Sequence, residues 1–149
     1  MIDDMADNLS KADRRRTMRA VKGKRTGLER RVSGMLAGRG FQGWETNPAG
    51  VVGKPDIVFR GKRVAIFVDG CFWHGCPKCH RPLPATNVAY WRRKIARNIK
   101  RDAQLRRRLR GAGWRVVRVW EHELVGSKGL RKVATKIGIP LRKRRKKAS

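Results

Sequence analysis

All three cysteines of the chain fall between Cys71 and Cys79, with His80 next in sequence and His122 farther along. Cys76 and Cys79 form a C-x-x-C pair, and Cys71 precedes it in the same segment. Thiolate and imidazole donors at this spacing suit a tetrahedral zinc ion. Because the segment has little apolar content of its own, we expect such a zinc to be structural and to tie it to the strand that carries His122.

A C-x-x-C pair also has a redox interpretation. Redox pairs normally open a helix after a strand in a thioredoxin-like unit, whereas Pro77 and Pro82 favour an irregular loop here. The odd number of cysteines suits a disulfide framework poorly, and the polar, acidic N-terminus does not look like an export signal, so we expect a reducing compartment. Loosely held surface cysteines are a third interpretation, and the spacing favours zinc over both.

An acid, a backbone carbonyl and a histidine are expected near the start of the same loop. The segment "PDIVFRGKRVAIFVDG" has two apolar runs around "RGKR", which predicts an antiparallel hairpin that turns near Gly61. Asp56 then lies at the same end as Val68 and Asp69, on strands about 4.8 Å apart. Carboxylate and carbonyl oxygens suit Mg²⁺, and phosphodiester hydrolysis needs such an ion with a nearby base. His74 is a candidate for that base.

Each of these residues also has a plainer interpretation. In so basic a chain a single acid typically pairs with Lys or Arg, and His74 alone would be a spare zinc ligand or a surface residue. Glu29 stands three residues after Thr26, which indicates a capping box at a helix start. Phe72 and Trp73 are either core side chains or groups that stack on bases or wedge between them. Periodicity does not separate these interpretations.

The elements that must position these groups follow from the apolar spacing. A short amphipathic helix is predicted from Thr26 to Gly38, after a basic arm, "RRRTMRAVKGKRTG", that we expect to fold only on DNA. A long helix is predicted from about Val88 to Arg110, and "WRVVRVWEHEL" predicts a last strand. The inward stripe of the long helix consists of Val88, Trp91, Ile95, Asn98, Asp102, Leu105 and Leu109. Its two polar members need buried partners.

The charge of the chain indicates its partner. Lys and Arg total 39 against 11 Asp and Glu, a formal net charge of +28. A polyanion relieves such self-repulsion, so nucleic acid is the expected partner. A membrane-surface protein would need a broad apolar helix face or a lipidation signal, and the sequence contains neither. We therefore expect a cytoplasmic protein with no membrane association.

The length of 149 residues suits one core with appendages. We expect a flexible basic N-terminal arm over residues 1–27, a core with the zinc site over residues 28–125, and a basic C-terminal tail over residues 126–149.

Four segments resemble, in order and spacing, the very short patch repair (Vsr) endonucleases of bacteria: "GKPDIVF", "FVDGCFWHGCP", "PATNVAYWRRKIARNIKRD" and "GWRVVRVWEHEL". The resemblance implies an α/β fold with an α+β mixed sheet, a restriction-endonuclease-like core of the PD-(D/E)XK type and a zinc-stapled loop. It implies a monomer that nicks double-stranded DNA 5′ to the T of a T:G mismatch, the product of 5-methylcytosine deamination. The expected location is the bacterial nucleoid, with other repair proteins as candidate partners.

The resemblance also implies roles for individual residues. Asp56 and the carbonyl of Val68 would hold a catalytic Mg²⁺, and His74 would be the general base. Glu29 matches a supporting acid of the active site. Asp69 occupies a position where some members have histidine, so it would be either a direct ligand or a supporting acid.

For DNA binding, the resemblance implies an intercalating aromatic wedge and an N-terminal helix that reaches the groove. The residues implied are Met18, Phe72, Trp73, Trp91, Lys94 and Asn98.

The zinc ligands that match the family are Cys71, Cys76 and His122. We take Cys79 rather than His80 as the fourth, because it completes the C-x-x-C pair. Two rival functions remain at this point: a restriction-type endonuclease of the same fold, and a zinc-stapled DNA-binding module without catalysis.

Overall fold

Helices flank a mixed β-sheet in the computed structural model, which describes residues 10–139. In chain order the elements are helix α1 (Lys11–Gly38), strands β1 (Trp44–Thr46), β2 (Ile57–Phe59) and β3 (Val64–Asp69), helix α2 (Val88–Gly111), strand β4 (Arg115–Trp120), a short 3-10 helix (Glu121–Leu124) and helix α3 (Gly126–Ile137). The predicted long helix is thus confirmed, from Val88 to one residue beyond Arg110.

The strands of the described region form one sheet in the order β1-β2-β3-β4. Strands β2 and β3 are antiparallel, with Ile57 opposite Ile66, which confirms the predicted hairpin. Strands β3 and β4 are parallel, with Asp69 opposite Trp120, and α2 lies in the crossover that such pairing requires. The carboxyl ends of β3 and β4 therefore meet at one edge, beside the start of β2.

The core lies on both faces of this sheet. Because side chains alternate along a strand, Ile57 and Ile66 face α1 and α3, whereas Val58 and Ala65 face Leu109 of α2. On the first face the buried helix residues are Leu28, Val32, Met35, Leu36, Val133 and Ile137. The α2 face is covered only partly by apolar side chains, which leaves room there for polar groups.

Three element boundaries differ from the sequence-based expectation. The last strand, predicted over "WRVVRVWEHEL", ends at Trp120, and a 3-10 helix follows it. Helix α1 begins at Lys11, so the predicted start at Thr26 is wrong, and much of the segment expected to fold only on DNA is helical. Part of the segment predicted as a tail forms α3, with Val133 and Ile137 buried. The division into arm, core and tail stays a prediction, and the basic residues after Leu141 lie outside the described ones.

Membrane insertion was also considered for the described helices. None of them combines enough length with enough apolar content to cross a bilayer.

Candidate active site and metal centre

Four potential metal ligands converge at one end of the molecule. The donor atoms of Cys71, Cys76, Cys79 and His122 all lie within 4.8 Å of one another. His122 Nδ1 is 3.3 Å, 3.5 Å and 3.3 Å from the Sγ atoms of Cys71, Cys76 and Cys79. A tetrahedral ion with metal–sulfur bonds of about 2.3 Å and a metal–nitrogen bond of about 2.0 Å would separate sulfur and nitrogen by about 3.5 Å. The four residues therefore fit a tetrahedral metal such as zinc.

The loop after β3 brings these ligands together through local turns. The Cys76 N–H donates to the Cys71 carbonyl at 2.9 Å, which closes a turn between the two thiols. His122 comes from the 3-10 helix that follows β4 and not from the strand itself, so the expected position of His122 on the strand is wrong, although the cluster still joins this loop to the end of β4. His80 lies outside the cluster and is exposed, in agreement with the choice of Cys79.

The thiols occupy unlike environments. Burial raises the pKa of Cys71 to about 12. Burial also acts to raise the pKa of Cys76, but hydrogen bonds from the backbone of Cys79 and Lys78 outweigh it, and the pKa is lowered. A metal ion would displace protons from the whole set, because it binds cysteine as thiolate.

Asp56 is held at the end of the hairpin that the sequence predicts. Its side chain is almost fully buried, and Oδ2 accepts the Val68 N–H at 2.7 Å. Its own N–H donates to the Ile66 carbonyl at 3.0 Å. Asp56 is therefore fixed to β3 by backbone and side chain, directly beside the residue that the sequence pairs with it in a Mg²⁺ site.

His74 lies between two acids. Its Nδ1 is 2.5 Å from Oδ2 of Asp102 on α2, and its Nε2 is 3.6 Å from Oδ1 of Asp69 at the end of β3. A carboxylate only accepts hydrogen bonds, so the short contact places the proton on Nδ1 and leaves Nε2 as the basic nitrogen. A histidine held in this way is chemically suited to accept a proton at Nε2.

The pKa values of Asp69 and Asp102 are shifted in opposite directions. Burial raises the pKa of Asp69, and the nearby charges of His74 and Arg118 oppose that rise without cancelling it. Burial acts to raise the pKa of Asp102 as well, but its hydrogen bond with His74 and the charges of His74 and nearby arginines outweigh burial and lower that pKa.

An aromatic cluster adjoins His74. The ring centroids of Trp73 and Trp91 are 5.4 Å apart, and Phe72 lies 5.2 Å from Trp73 and 5.8 Å from Trp91 in edge-on contacts. Lys94 Nζ lies 5.4 Å from the Trp73 ring, within cation–π range. All three rings are only partly buried, so they form an accessible surface rather than part of the main core.

Asn98 connects the aromatic cluster to the backbone next to His74. Its Nδ2 donates to the Trp73 carbonyl at 3.0 Å, one residue before His74. Asn98 and Asp102, one turn apart on α2, thus anchor consecutive loop residues, Trp73 and His74. The two polar residues on the predicted stripe have the partners that burial requires.

The remaining predicted residues lie on α1. Glu29 is partly buried within this helix next to Leu28, and the capping-box interpretation fails because the helix starts far upstream. Met18 lies on the same helix, but its side chain is outside the described ones.

Sequence reasoning missed Arg118 and assigned no role to Asp102. Arg118 Nε donates to Oδ2 of Asp69 at 2.6 Å, and its guanidinium lies 3.9 Å from the Trp120 ring centroid. The available signal was an arginine set within a β-branched strand, "VVRVW", where a buried partner is required.

Comparisons with known proteins identify relatives of this chain. Residues 6–81 match the sequence profile of the DNA mismatch endonuclease Vsr family. The chain is 39% identical over 126 residues to the DNA mismatch endonuclease Vsr of Escherichia coli (strain K12), an alignment that covers 85% of this chain and 80% of that enzyme. It is 39% identical over 120 residues to the type II nicking enzyme V.XorIIP of Xanthomonas oryzae pv. oryzae, covering 80% of this chain and 88% of that enzyme.

A further relative matches a shorter part. The type II nicking enzyme V.NaeI of Lentzea aerocolonigenes is 57% identical over 74 residues, which is 50% of this chain and 44% of that enzyme. These relatives, which are named as endonucleases, support the DNA endonuclease class for this chain. The chain belongs to the Vsr family of DNA mismatch endonucleases.

Proposed function

We propose that this protein is a Mg²⁺-dependent endonuclease that nicks DNA 5′ to the T of a T:G mismatch, and so starts repair of deaminated 5-methylcytosine. The observation that carries the proposal is the His74–Asp102 pair, at 2.5 Å, at the same sheet edge as the buried Asp56. Family membership and relatives named as nicking enzymes support the finer activity.

In this proposal, Asp56 and the Val68 carbonyl hold the Mg²⁺. The hydrogen bond from Val68 N–H to Asp56 Oδ2 supports this ligand set, because it fixes the carboxylate beside Val68, the residue that supplies the carbonyl. When bound, the ion supplies charge stabilisation at the phosphate and at the leaving oxygen.

His74 then removes a proton from the attacking water through Nε2. Asp102 holds the ring by Nδ1 and stabilises the charged imidazolium that forms. Because Asn98 holds the Trp73 carbonyl, the backbone next to His74 is fixed as well. Glu29, on the helix that packs against the same sheet, is proposed as a supporting acid.

The other metal is proposed to be a structural zinc. Three thiolates and one imidazole complete a tetrahedral set, with no position left for a water. The ion would fix the loop that carries both His74 and the aromatic cluster.

Recognition of the mismatch is assigned to the surface beside the base. Phe72, Trp73 and Trp91 are proposed to enter the weakened base stack at the mismatch, with Lys94 and Asn98 beside them. Trp73 directly precedes His74. Insertion of the Trp73 ring at the mismatch and placement of His74, the proposed general base, are therefore coupled through one peptide bond. Met18 on α1 is proposed to contribute from the groove.

The basic surface supplies the affinity that does not depend on sequence. Exposed arginines and lysines on α1 and α2 contact phosphates in this proposal, with a formal net charge of +28 for the whole chain. The restriction-endonuclease-like assignment of the core is part of the same proposal, supported by the acid at the hairpin end of a mixed sheet.

A strand-specific nicking assay tests the function. Duplexes that differ only at one pair, T:G, T:A, C:G or C:A, carry a distinct label on each strand and are incubated with Mg²⁺, with Ca²⁺ or with EDTA. We expect one nick, 5′ to the T of the T:G duplex, with Mg²⁺ only.

Other outcomes select the rivals. Cleavage of both strands of a fully paired duplex would identify a restriction-type enzyme. Tight binding without cleavage under any metal condition, unchanged in an Asp56→Asn variant, would identify a DNA-binding module.

A further inference from the structure

Arg118 is a charged residue in a largely buried place on β4. Its side chain is 21% exposed, and Nη2 is buried without a hydrogen-bond partner among the described residues. Alternation along the strand puts Arg118 on the same sheet face as Val116, which packs toward α2. A guanidinium in this position requires acidic partners, because burying an unpaired charge is unfavourable.

Its partners are the two acids that flank His74. Nε donates to Oδ2 of Asp69 at 2.6 Å, and Nη2 lies 3.9 Å from Oδ2 of Asp102. The guanidinium also stacks on Trp120 at 3.9 Å from the ring centroid, which fixes its plane. Arg118, Asp69, His74 and Asp102 therefore form a closed ring of charged groups.

The two acids lie at different distances from the imidazole of His74. Asp102 makes a direct hydrogen bond to Nδ1, whereas Oδ1 of Asp69 stays 3.6 Å from Nε2, beyond hydrogen-bond range. The other oxygen of Asp69 is taken by Arg118. Asp69 therefore makes no hydrogen bond to Nε2, and the lone pair of this nitrogen stays available.

We propose that Arg118 is a positioning residue that draws Asp69 away from the basic nitrogen of His74, so that a water molecule can occupy the place in front of Nε2. Arg118 accordingly acts on His74 through Asp69, and Asp69 is not a metal ligand. This inference rests on the proposed function, because it concerns the base of the same reaction.

Without Arg118, the Asp69 carboxylate is free to rotate toward His74 and to pair with an imidazolium protonated at Nε2, so that this nitrogen no longer accepts a proton from water. Arg118→Met is expected to lower kcat for nicking by roughly 10- to 100-fold, with an unchanged Kd for the T:G duplex measured in Ca²⁺. Arg118→Lys should recover part of the loss, because an ammonium retains the charge but not the planar stacking on Trp120.

A second substitution distinguishes positioning from other roles. In the double variant Arg118→Met with Asp69→Ala, the side chain at position 69 is too short to reach Nε2, so kcat should return to the level of Asp69→Ala alone. A double variant slower than both single variants would overturn the proposal. A raised Mg²⁺ requirement in Asp69→Asn would also overturn it, since that result identifies Asp69 as a metal ligand.

Controls separate the role from folding and from total charge. Arg131→Met removes one exposed positive charge on α3 and should leave kcat unchanged. The thermal unfolding midpoint is measured for every variant, and kcat is expressed per folded molecule. If the loss of kcat in Arg118→Met disappears after this correction, the Arg118–Asp69 pair has only a structural role, and the proposal is overturned.

A readout without DNA keeps this test independent of the proposed function. Crystal structures of the parent protein and of Arg118→Met should show the Asp69 Oδ1 to His74 Nε2 separation shortening from 3.6 Å to hydrogen-bond range. An unchanged separation would overturn the proposal even if the parent protein nicks DNA. If the parent protein does not nick T:G duplexes, the function fails while this geometric result still stands or falls by itself.

Discussion

The metal cluster and the acid–histidine site lie on the same loop, but they are built in different ways. In the cluster, Cys71 and Cys76 are almost fully buried, and all four donors face a common centre. In the acid–histidine site, His74 is partly exposed and its hydrogen bond to Asp102 uses only one ring nitrogen. A closed donor set holds structure, whereas a site that performs chemistry keeps a position open. In the proposed function, a metal at the first group would immobilise the loop, and the second group would hold His74 toward the substrate.

The largest expected effect comes from removing the metal of the closed site. Chelation, or Cys76→Ser, should lower the thermal unfolding midpoint and abolish nicking together, because the loop that carries His74 loses its attachment to β4. Metal analysis should give one zinc per chain before chelation. Added Zn²⁺ should restore both properties and Mg²⁺ neither. A chelated protein that still nicks would break the link between the two sites.

The next effect is confined to the open site. Asp56→Asn should reduce nicking by roughly 10³-fold or more, because an amide lacks the charge that Mg²⁺ requires. Zinc content and the unfolding midpoint should change little, since the amide oxygen can still accept the Val68 N–H. Glu45→Gln, at an exposed acid of β1, is the matched control and should be fully active. Equal losses in the two variants would argue against a specific metal ligand.

A smaller effect is expected for the residue that orients the base. His74→Ala should lower kcat by roughly 10²- to 10⁴-fold, and Asp102→Asn by less, because Asn can still accept from Nδ1 without the charge. The two losses should not multiply in the double variant, since Asp102 acts through His74. Single-turnover nicking at saturating enzyme measures each rate. Independent, multiplying losses would contradict the pairing.

Lys94→Met tests the proposed DNA surface beside His74. An exposed ion pair of Lys94 with a phosphate would be worth about 0.2–1 kcal/mol, so we expect Kd for the T:G duplex to rise by roughly 1.5- to 5-fold. The slope of log K against log salt should fall by about one if the ammonium meets a phosphate. Fluorescence anisotropy in Ca²⁺ across several salt concentrations measures both. An unchanged Kd at every salt concentration would remove Lys94 from the interface.

The smallest expected effect concerns the fourth ligand of the metal cluster. His80→Ala should leave zinc content, stability and nicking unchanged, because His80 is exposed and outside the cluster. Cys79→Ser is the paired variant and should lose metal affinity. The opposite ranking in a competitive chelator titration would show that His80 is the fourth ligand.

The parts of the site that are local in sequence could be predicted. The hairpin register follows from two apolar runs around a short turn, so Asp56 could be placed beside Val68. The cysteine spacing likewise indicated a metal cluster. Arg118 could not be placed beside Asp69, because parallel strands joined by a long crossover have no turn that sets their register.

The length of α1 was missed for a different reason. The segment "RRRTMRAVKGKRTG" has almost no apolar periodicity, and so pattern reasoning assigned it no structure. Arginine, lysine, alanine and methionine nevertheless have good intrinsic helix propensity, and a helix already packed through Leu28 and Val32 extends more readily than it nucleates.

The parallel pairing of β3 with β4 has a consequence for the order of folding. The hairpin closes over a short loop, so contacts of Asp56 with β3 can form early. His122 and Arg118 lie beyond α2, on β4 and directly after it. Bringing them to the loop closes a much longer connection than the hairpin turn and costs more conformational entropy. We therefore expect His122 to join the three thiols only when β4 pairs with β3, so that the four-ligand set is completed late in folding.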